Sequence, residues 1–386
     1  VMVSPPQIRS GQTTERDPVQ AVRDFHTQVS QEDTALVLFF CSSQYDLDAL
    51  AAEMDRLFTD TLVVGCTTAG EIGPGGYLDY SLSGASFPAD SFQAVTGLIH
   101  PLHTFEITQG KNFVQGLMRH LEVLAPQAGT YNSFAFLMID GLSQQEEPVS
   151  RSLHSALGGI PMFGGSAGDD LRFDQTLIYH DGRFHNDSAV LVLATTRNPF
   201  RIFKTQHFSA TDQRMVVTSA DASRRLVFEI NGLPAAEEYA RLVGADIDDL
   251  NPMRFATSPV VVLIDGHEYV RSIQKVNPDG SLTFYCAIDE GIVLRVARGV
   301  DLIDNLTHSL ADIRKDIGPP QAVIACDCIL RNLEISQGGL KQAVGTIFQD
   351  NHTVGFSTYG EQYAGVHVNQ TFTGLAIGSV KGEPHE

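Results

Sequence analysis

The sequence predicts an α+β fold: two modules of mixed β-sheets with packed helices, built from a repeated strand–helix–strand–glycine-turn unit. Three observations point there. Residues 63–71 (VVGCTTAGE) and 353–361 (TVGFSTYGE) are identical at five of nine positions. Their spacing repeats as well, since Gly65 precedes Gly84 by 19 residues and Gly355 precedes Gly374 by the same 19. Each copy also follows an apolar strand and a helical pattern, and a crossover through a helix makes the two flanking strands parallel.

In chain order, residues 1–21 are polar and proline-punctuated, and are expected as an N-terminal tail. A first module is expected over 22–225. It opens with the strand ALVLFF (35–40), followed by Leu47, Leu50, Ala51, Met54, Leu57 and Phe58 on one helical face with Asp46 placed to cap it. The glycine turn VVGCTTAGE comes next. A looser copy follows: FAFLMID (134–140) reads as a strand, and Val149, Leu153, Ala156 and Leu157 mark a helix opened by Pro148. The turn MFGGSAGDD (162–170) then leads into alternating residues and a hairpin at His180-Asp181-Gly182.

A second module is expected over 226–386. A helix should run from about Pro234 to Gly244, and Asn277-Pro278-Asp279-Gly280 should close another hairpin. The strand AVIAC (322–326) precedes a helical pattern of Leu340, Val344, Ile347 and Phe348, weakened by Gly338, Gly339 and Gly345. So many hairpins exclude a purely doubly wound sheet.

Composition narrows the function. Against 46 Asp+Glu the chain has 26 Lys+Arg, a formal net charge of −20, which argues against phosphate-backbone recognition. No apolar stretch approaches a bilayer span, and the N-terminus lacks the apolar core of a signal peptide, so a cytoplasmic protein is expected. Five cysteines (Cys41, Cys66, Cys286, Cys326, Cys328) do not make a disulfide framework. Cys326-Asp327-Cys328 places two thiols on one strand face but supplies no full zinc ligand set.

Gly164-Gly165-Ser166-Ala167-Gly168 matches the G-x-S-x-G nucleophile elbow. That motif needs a helix after the serine, and a strand pattern follows here instead. Ser166 therefore reads as part of a glycine turn equivalent to GCTTAG, and no enzyme is expected. Gly73-Pro74-Gly75-Gly76 lacks the lysine and hydroxyl of a P-loop.

At VVGCTTAGEI, FGGSAGDD, INGLPAAEEYA and GFSTYGEQY…NQTFTGLAIG, over about residues 22–380, the chain resembles FIST proteins. That family pairs an N-terminal with a C-terminal FIST module as a sensory unit of signal transduction. With no output segment in the sequence, the resemblance is to stand-alone members. Some of these, the nitric-oxide-sensing NosP group, bind haem b and regulate a partner histidine kinase. Others are proposed to sense small metabolites such as amino acids. The resemblance thus implies haem b, nitric oxide and a sensor histidine kinase as cofactor, ligand and partner, with a haem-free metabolite sensor as the alternative. A homodimer is compatible with either.

Haem needs an axial histidine, an apolar slot and groups for its propionates. Two of 13 histidines stand out as alternative axial ligands. His367 lies seven residues before Gly374, where the first copy has Tyr77 seven before Gly84. His207 ends an alternating strand beside Phe203 and Phe208. For each, the plainer reading is a hydrogen-bonded strand histidine. His185 and His352 read as solvated turns, and His26, His120 and His154 as helix-surface residues. Arg331, after the strand that ends at CDC, could pair with a propionate or other carboxylate, or form a surface ion pair. Glu71, Glu361 and, in the middle copy, Asp169 recur after the glycine turns. They read either as contacts to a ligand amine or, preferably, as bonds to the turn itself.

Overall fold

Residues 7–380 are described by the computed structural model, and within them the chain runs three times through one α+β pattern. The first unit contains strand Arg9–Thr13, helix Pro18–Val29, strand Thr34–Ser42, helix Leu47–Leu57 and strand Val63–Thr68. A hairpin (71–78) and strand Leu82–Pro88 complete it. The second unit repeats the order with Phe92–Ile99, Ile107–Leu124, Ser133–Ile139, Glu146–Leu157, Met162–Ser166, hairpin 178–185 and Ala189–Thr196. The third uses Phe200–Thr205, Leu302–Ile317, Ala322–Cys328, Lys341–Asp350, Thr353–Thr358, hairpin 361–368 and Phe372–Ile377. Helix Ile329–Gln337 is an addition of the third unit, separated from Lys341–Asp350 by Gly338 and Gly339. The weak middle repeat of the sequence is therefore a full unit in its own right, the second of the three.

Each unit builds a six-stranded sheet, but not from its own strands alone. Hairpin 71–78 of the first unit pairs with Thr353–Thr358 of the third. The third unit's hairpin 361–368 pairs with Met162–Ser166 of the second. The second unit's hairpin 178–185 pairs with Val63–Thr68 of the first. The exchange closes a ring. Three equivalent backbone bonds tie its centre: Gly168 N–H to Thr67 C=O at 3.0 Å, Tyr359 N–H to Ser166 C=O at 3.1 Å, and Ala69 N–H to Ser357 C=O at 3.0 Å.

Strand alternation explains the layers. Phe40, Cys66, Phe136, Phe163, Cys326 and Phe356 point inward from all three sheets into one shared core. Phe136 stacks on Phe163 with centroids 4.5 Å apart, and Phe40 on Phe356 at 4.8 Å. Residues of opposite parity face outward beneath helices, such as Leu137 and Ile139 under Ile107–Leu124 and Glu146–Leu157. The repeated glycines fit this packing. A Cβ on Gly65, Gly164 or Gly355 would lie 2.5, 2.4 and 1.9 Å from the carbonyl oxygens of Phe39, Leu137 and Ala325 on the adjacent parallel strand.

Between Phe200–Thr205 and Leu302–Ile317 the third unit carries an insertion, which forms a separate eight-stranded sheet with its own core around Tyr239, Phe255 and Leu294. The boundary expected at 225/226 falls inside it: Phe208–Asp221 and Leu226–Ile230 pair antiparallel, with Asp221 opposite Leu226. The division into 22–225 and 226–386 therefore does not follow the units, because the hydrogen-bonded ladder spans it. The helix expected after Pro234 runs Ala235–Val243 and ends at left-handed Gly244.

The expected tail over 1–21 also needs correction. Arg9–Thr13 is an edge strand on Leu82–Pro88, and Asp17 caps helix Pro18–Val29 by accepting from Gln20 N–H at 2.8 Å. A short edge strand whose side chains are mostly polar carries no apolar periodicity to reveal it. Residues 1–6 lie outside the described residues.

Candidate functional site

The exchanged hairpins create three homologous niches, each between a hairpin and the helix layer of the receiving unit. The registers place Tyr77, Phe184 and His367 at equivalent positions, opposite Ile72, Tyr179 and Gln362. The three have diverged in chemistry. In the first unit the niche is aromatic: Phe184 and Tyr179 pack edge-on at 5.4 Å, and Tyr179 meets Phe39 at 4.9 Å.

In the third unit it is ionic. Tyr77 Oη donates to Asp327 Oδ2 at 2.9 Å, and Arg331 Nε donates to Asp327 Oδ1 at 2.7 Å. Arg331 Nη1 lies 3.0 Å from His207 Nδ1, and His207 Nε2 lies 2.8 Å from Glu334 Oε2. A guanidinium only donates, so His207 Nδ1 accepts and its ring proton sits on Nε2, toward Glu334. Asp327, Arg331 and His207 are wholly buried. Burial raises the Asp327 carboxyl against the opposing pull of Arg331, and burial lowers the His207 imidazole. Two predicted site residues, His207 and Arg331, thus share one network.

His367 is in a different niche, that of the second unit. Gln362 Nε2 donates both to Ser166 Oγ at 3.0 Å and to His367 Nδ1 at 2.9 Å. All three residues are buried. Gln362 Oε1 and His367 Nε2 have no protein partner. Burial pushes the His367 imidazole down to about 4, which keeps it neutral near pH 7. Helix Glu146–Leu157 covers the niche. Arg225 Nη2 binds Glu146 at 2.6 Å and also Glu147, while Arg271 Nη1 donates to His367 C=O at 2.9 Å. His154, expected on the surface, packs on the hairpin tip, where a Cβ on Gly365 would come within 2.8 Å of it.

Neither histidine fits an axial haem ligand as it stands. Both nitrogens of His207 are engaged, by Arg331 and Glu334. His367 has one open nitrogen, but the Gly360 backbone presses on its ring so closely that a Cβ there would sit 2.4 Å from Cε1. Five surface pockets have volumes of about 310–850 Å³, and none of the five is lined by His207, Arg331 or His367. Among the described residues, no group of three or more His, Cys, Asp or Glu is placed to hold a metal ion.

The recurring acids divide. Glu71 accepts from Ser81 N–H and Oγ and pairs with Thr68 Oγ1; Glu361 repeats this with Thr371 and Thr358. Both carboxyls close the base of an exchanged hairpin, and burial raises each to about 8. Asp169 is not their equivalent. In the middle unit Ile178 holds that register position, opposite Cys66, as Glu71 stands opposite Phe356 and Glu361 opposite Gly165. Asp169 instead organises a loop peculiar to this unit, accepting from Phe173, Asp174 and Gln175 N–H at 2.8–2.9 Å and from Tyr359 Oη. Left-handed Asp170, Leu171 and Phe173 replace the strand alternation expected after Ser166. No helix follows Ser166, and its hydroxyl partner is an amide rather than a base.

Sequence reading missed Asp327, Gln362, Glu146 and Arg225. Asp327 was visible as a lone acid in an apolar strand: the alternation that sends Cys326 inward sends Asp327 outward to the helix side. The others carry no local signal, because their partners come from distant units.

Three α+β units joined by exchanged hairpins thus frame three buried niches, one aromatic and two polar. The FIST N domain model matches residues 35–233 and the FIST C domain model residues 235–364. The chain belongs to the FIST family, whose domains are sensors of signal transduction. No curated protein matches it significantly. Among solved structures, a cyanuric acid hydrolase described as an evolutionary innovation by structural concatenation aligns at 10% identity with a TM-score of 0.37, covering 96% of this chain and 99% of that one. The cyanuric acid hydrolase from A. caulinodans aligns at 9% identity and 0.34, covering 97% and 99%. Likeness at that level carries no conclusion about this chain. Among the described residues, no helix is long and apolar enough to cross a membrane.

Proposed function

We propose that this FIST protein senses a small polar molecule without haem and passes the signal to a separate signalling protein, such as a cytoplasmic histidine kinase. One observation carries the reading: His367 and Gln362 present buried, unpartnered polar atoms on a hairpin of the third unit that is seated in the sheet of the second. A guest held there bears on two units at once, so its differential affinity for two arrangements of those units is the signal. Ser166 Oγ accepts from the Gln362 amide, a contact that suits recognition rather than bond-making. The acidic surface charge and five free cysteines suit a cytoplasmic setting.

The test is an absorption spectrum of protein expressed with excess haem precursor, in ferric, ferrous and nitric-oxide-treated states. No Soret band is expected. A band lost in His367→Ala or His207→Ala would overturn the reading in favour of a haem-based nitric oxide sensor. A band surviving both substitutions would overturn it equally and place haem elsewhere.

A further inference from the structure

Among the described residues, eight buried side-chain polar atoms lack a protein hydrogen-bond partner, and five of them belong to two packed elements. Glu146 Oε1, Ser150 Oγ and His154 Nδ1 stand on successive turns of helix Glu146–Leu157, spaced i, i+4, i+8 on one face. Gln362 Oε1 and His367 Nε2 lie on the hairpin beneath that helix. Their contact is fixed at both ends. His154 packs on Gly365 at the hairpin tip, and at the other end the charge of Arg225, clamped by Glu146 and Glu147, acts on His367. A buried polar group without a partner costs about 1–3 kcal/mol, so five in one seam require an explanation.

The unpaired atoms specify the chemistry that would satisfy them. Gln362 donates its amide hydrogens to Ser166 and His367 Nδ1, which leaves Oε1 as an acceptor. With Nδ1 accepting, neutral His367 carries its proton on Nε2, a donor without a protein partner; the Tyr285 carbonyl beside the ring is already taken by Arg225 Nη1 at 2.6 Å. Glu146 uses Oε2 on Arg225 and keeps Oε1 as a second acceptor. Ser150 either donates or accepts. The seam therefore calls for a guest with at least two N–H or O–H donors and one acceptor. A carboxylate brings acceptors only, and faces Glu146 and Glu147. An ammonium or amidinium brings donors only, leaving His367 N–H unanswered. A neutral amide or urea brings both.

We propose that the seam between helix Glu146–Leu157 and hairpin 361–368 is the ligand site of this sensor, and that its ligand is recognised through a neutral carboxamide or ureide group. The N–H groups go to Gln362 Oε1 and Glu146 Oε1, and the carbonyl takes the proton of His367 Nε2. The half-buried His154 and the exposed Ala364 beside Gly365 mark the entrance. The assignment rests on the haem-free reading above and names the ligand class for it.

Three isosteric probes separate the possibilities on the full chain: acetamide, acetate and acetamidinium. Thermal unfolding should shift upward, dose-dependently, with acetamide and at least several-fold less with the two ions. Gln362→Met, which keeps side-chain length, should abolish the acetamide shift. So should His367→Phe, which gives this niche the ring that Phe184 supplies in the homologous one. A crystal soaked in acetamide should show the amide in the seam. Equal shifts with all three probes, no shift with any, a shift that survives both substitutions, or ordered water alone in the seam would each overturn the proposal. If these fail while the Soret region stays flat, the ligand class is wrong and the haem-free reading stands; a Soret band sinks both.

Discussion

Tyr77 and Asp327 are 250 residues apart in the chain and 2.9 Å apart in space, phenol to carboxylate, inside a niche closed to solvent. The bond joins the first unit's exchanged hairpin to the third unit's sheet. It therefore belongs to the ring of exchanges rather than to either unit. Asp327 holds Arg331 as well, and Arg331 holds His207, so one buried carboxylate links the hairpin, the helix that follows its strand and the start of the inserted sheet.

Removing the phenol should cost less than removing the guanidinium. Tyr77→Phe deletes one hydrogen bond to an acid still paired with Arg331, and a loss of about 1–3 kcal/mol is expected. Arg331→Met leaves Asp327 buried without its counter-charge, and about 3–5 kcal/mol is expected. Urea unfolding of both variants checks the order. Arg331→Met costing less than Tyr77→Phe would mean that Asp327 is held neutral rather than as an ion.

The clamp over the second niche behaves similarly. Arg225 is buried between Glu146 and Glu147 and also donates from Nη1 to Tyr285 C=O at 2.6 Å. It fastens the inserted sheet to the second unit. Arg225→Met should destabilise by about 3–5 kcal/mol. Glu146→Gln should cost much less, because Glu147 still answers the guanidinium. Limited proteolysis gives a second readout: cleavage within 208–299 should accelerate in Arg225→Met before the three-unit core yields.

Much of this fold was legible in the sequence, and the reasons are local. Strands such as 35–40 and 322–326 and the helix at 47–57 announce themselves by apolar period and caps, and the matched glycines announce two homologous turns. The exchange of hairpins was not legible. Glu71 looks the same whether its hairpin folds back on its own sheet or crosses to another, since register with a partner strand is a tertiary property. That is also why Asp169, aligned with the glutamates by its place after a glycine turn, proved to serve a different loop. The histidine sites divide likewise: position in the repeat singled out His367, but only the packing shows that Gln362 occupies one of its nitrogens and leaves the other open.

Glycine positions give predictions of opposite sign. A Cβ at Gly355 would sit 1.9 Å from Ala325 C=O, a backbone atom in the central parallel pair, so Gly355→Ala must separate two strands of the core. A severe loss or failure to fold is expected. Gly116 lies exposed in helix Ile107–Leu124, where an added Cβ would meet nothing within 4 Å. Gly116→Ala should stabilise by about 0.5–1 kcal/mol, through helix propensity alone. Thermal melts of the two variants test whether the repeated glycines are there for strand approach rather than flexibility.

The last prediction concerns pH. Glu71 and Glu361 are fully buried, and desolvation raises both carboxyls to about 8 from an ordinary value of 4.5. In the folded protein they hold protons that the unfolded chain releases above about pH 4.5. Their contribution to stability is therefore complete below that value and is lost as pH rises through about 8. The full span is worth on the order of 5 kcal/mol per group. Glutamine mimics the protonated acid: its Oε1 accepts from Ser81 or Thr371, and its Nε2 donates to Thr68 or Thr358. The double variant Glu71→Gln/Glu361→Gln should consequently match the parent near pH 5 and exceed its stability near pH 8. Urea unfolding at both pH values reads this directly. Parallel profiles for parent and variant would show that the two carboxyls do not titrate between these limits, and that their hydrogen bonds from hydroxyls and amides hold them ionised despite burial.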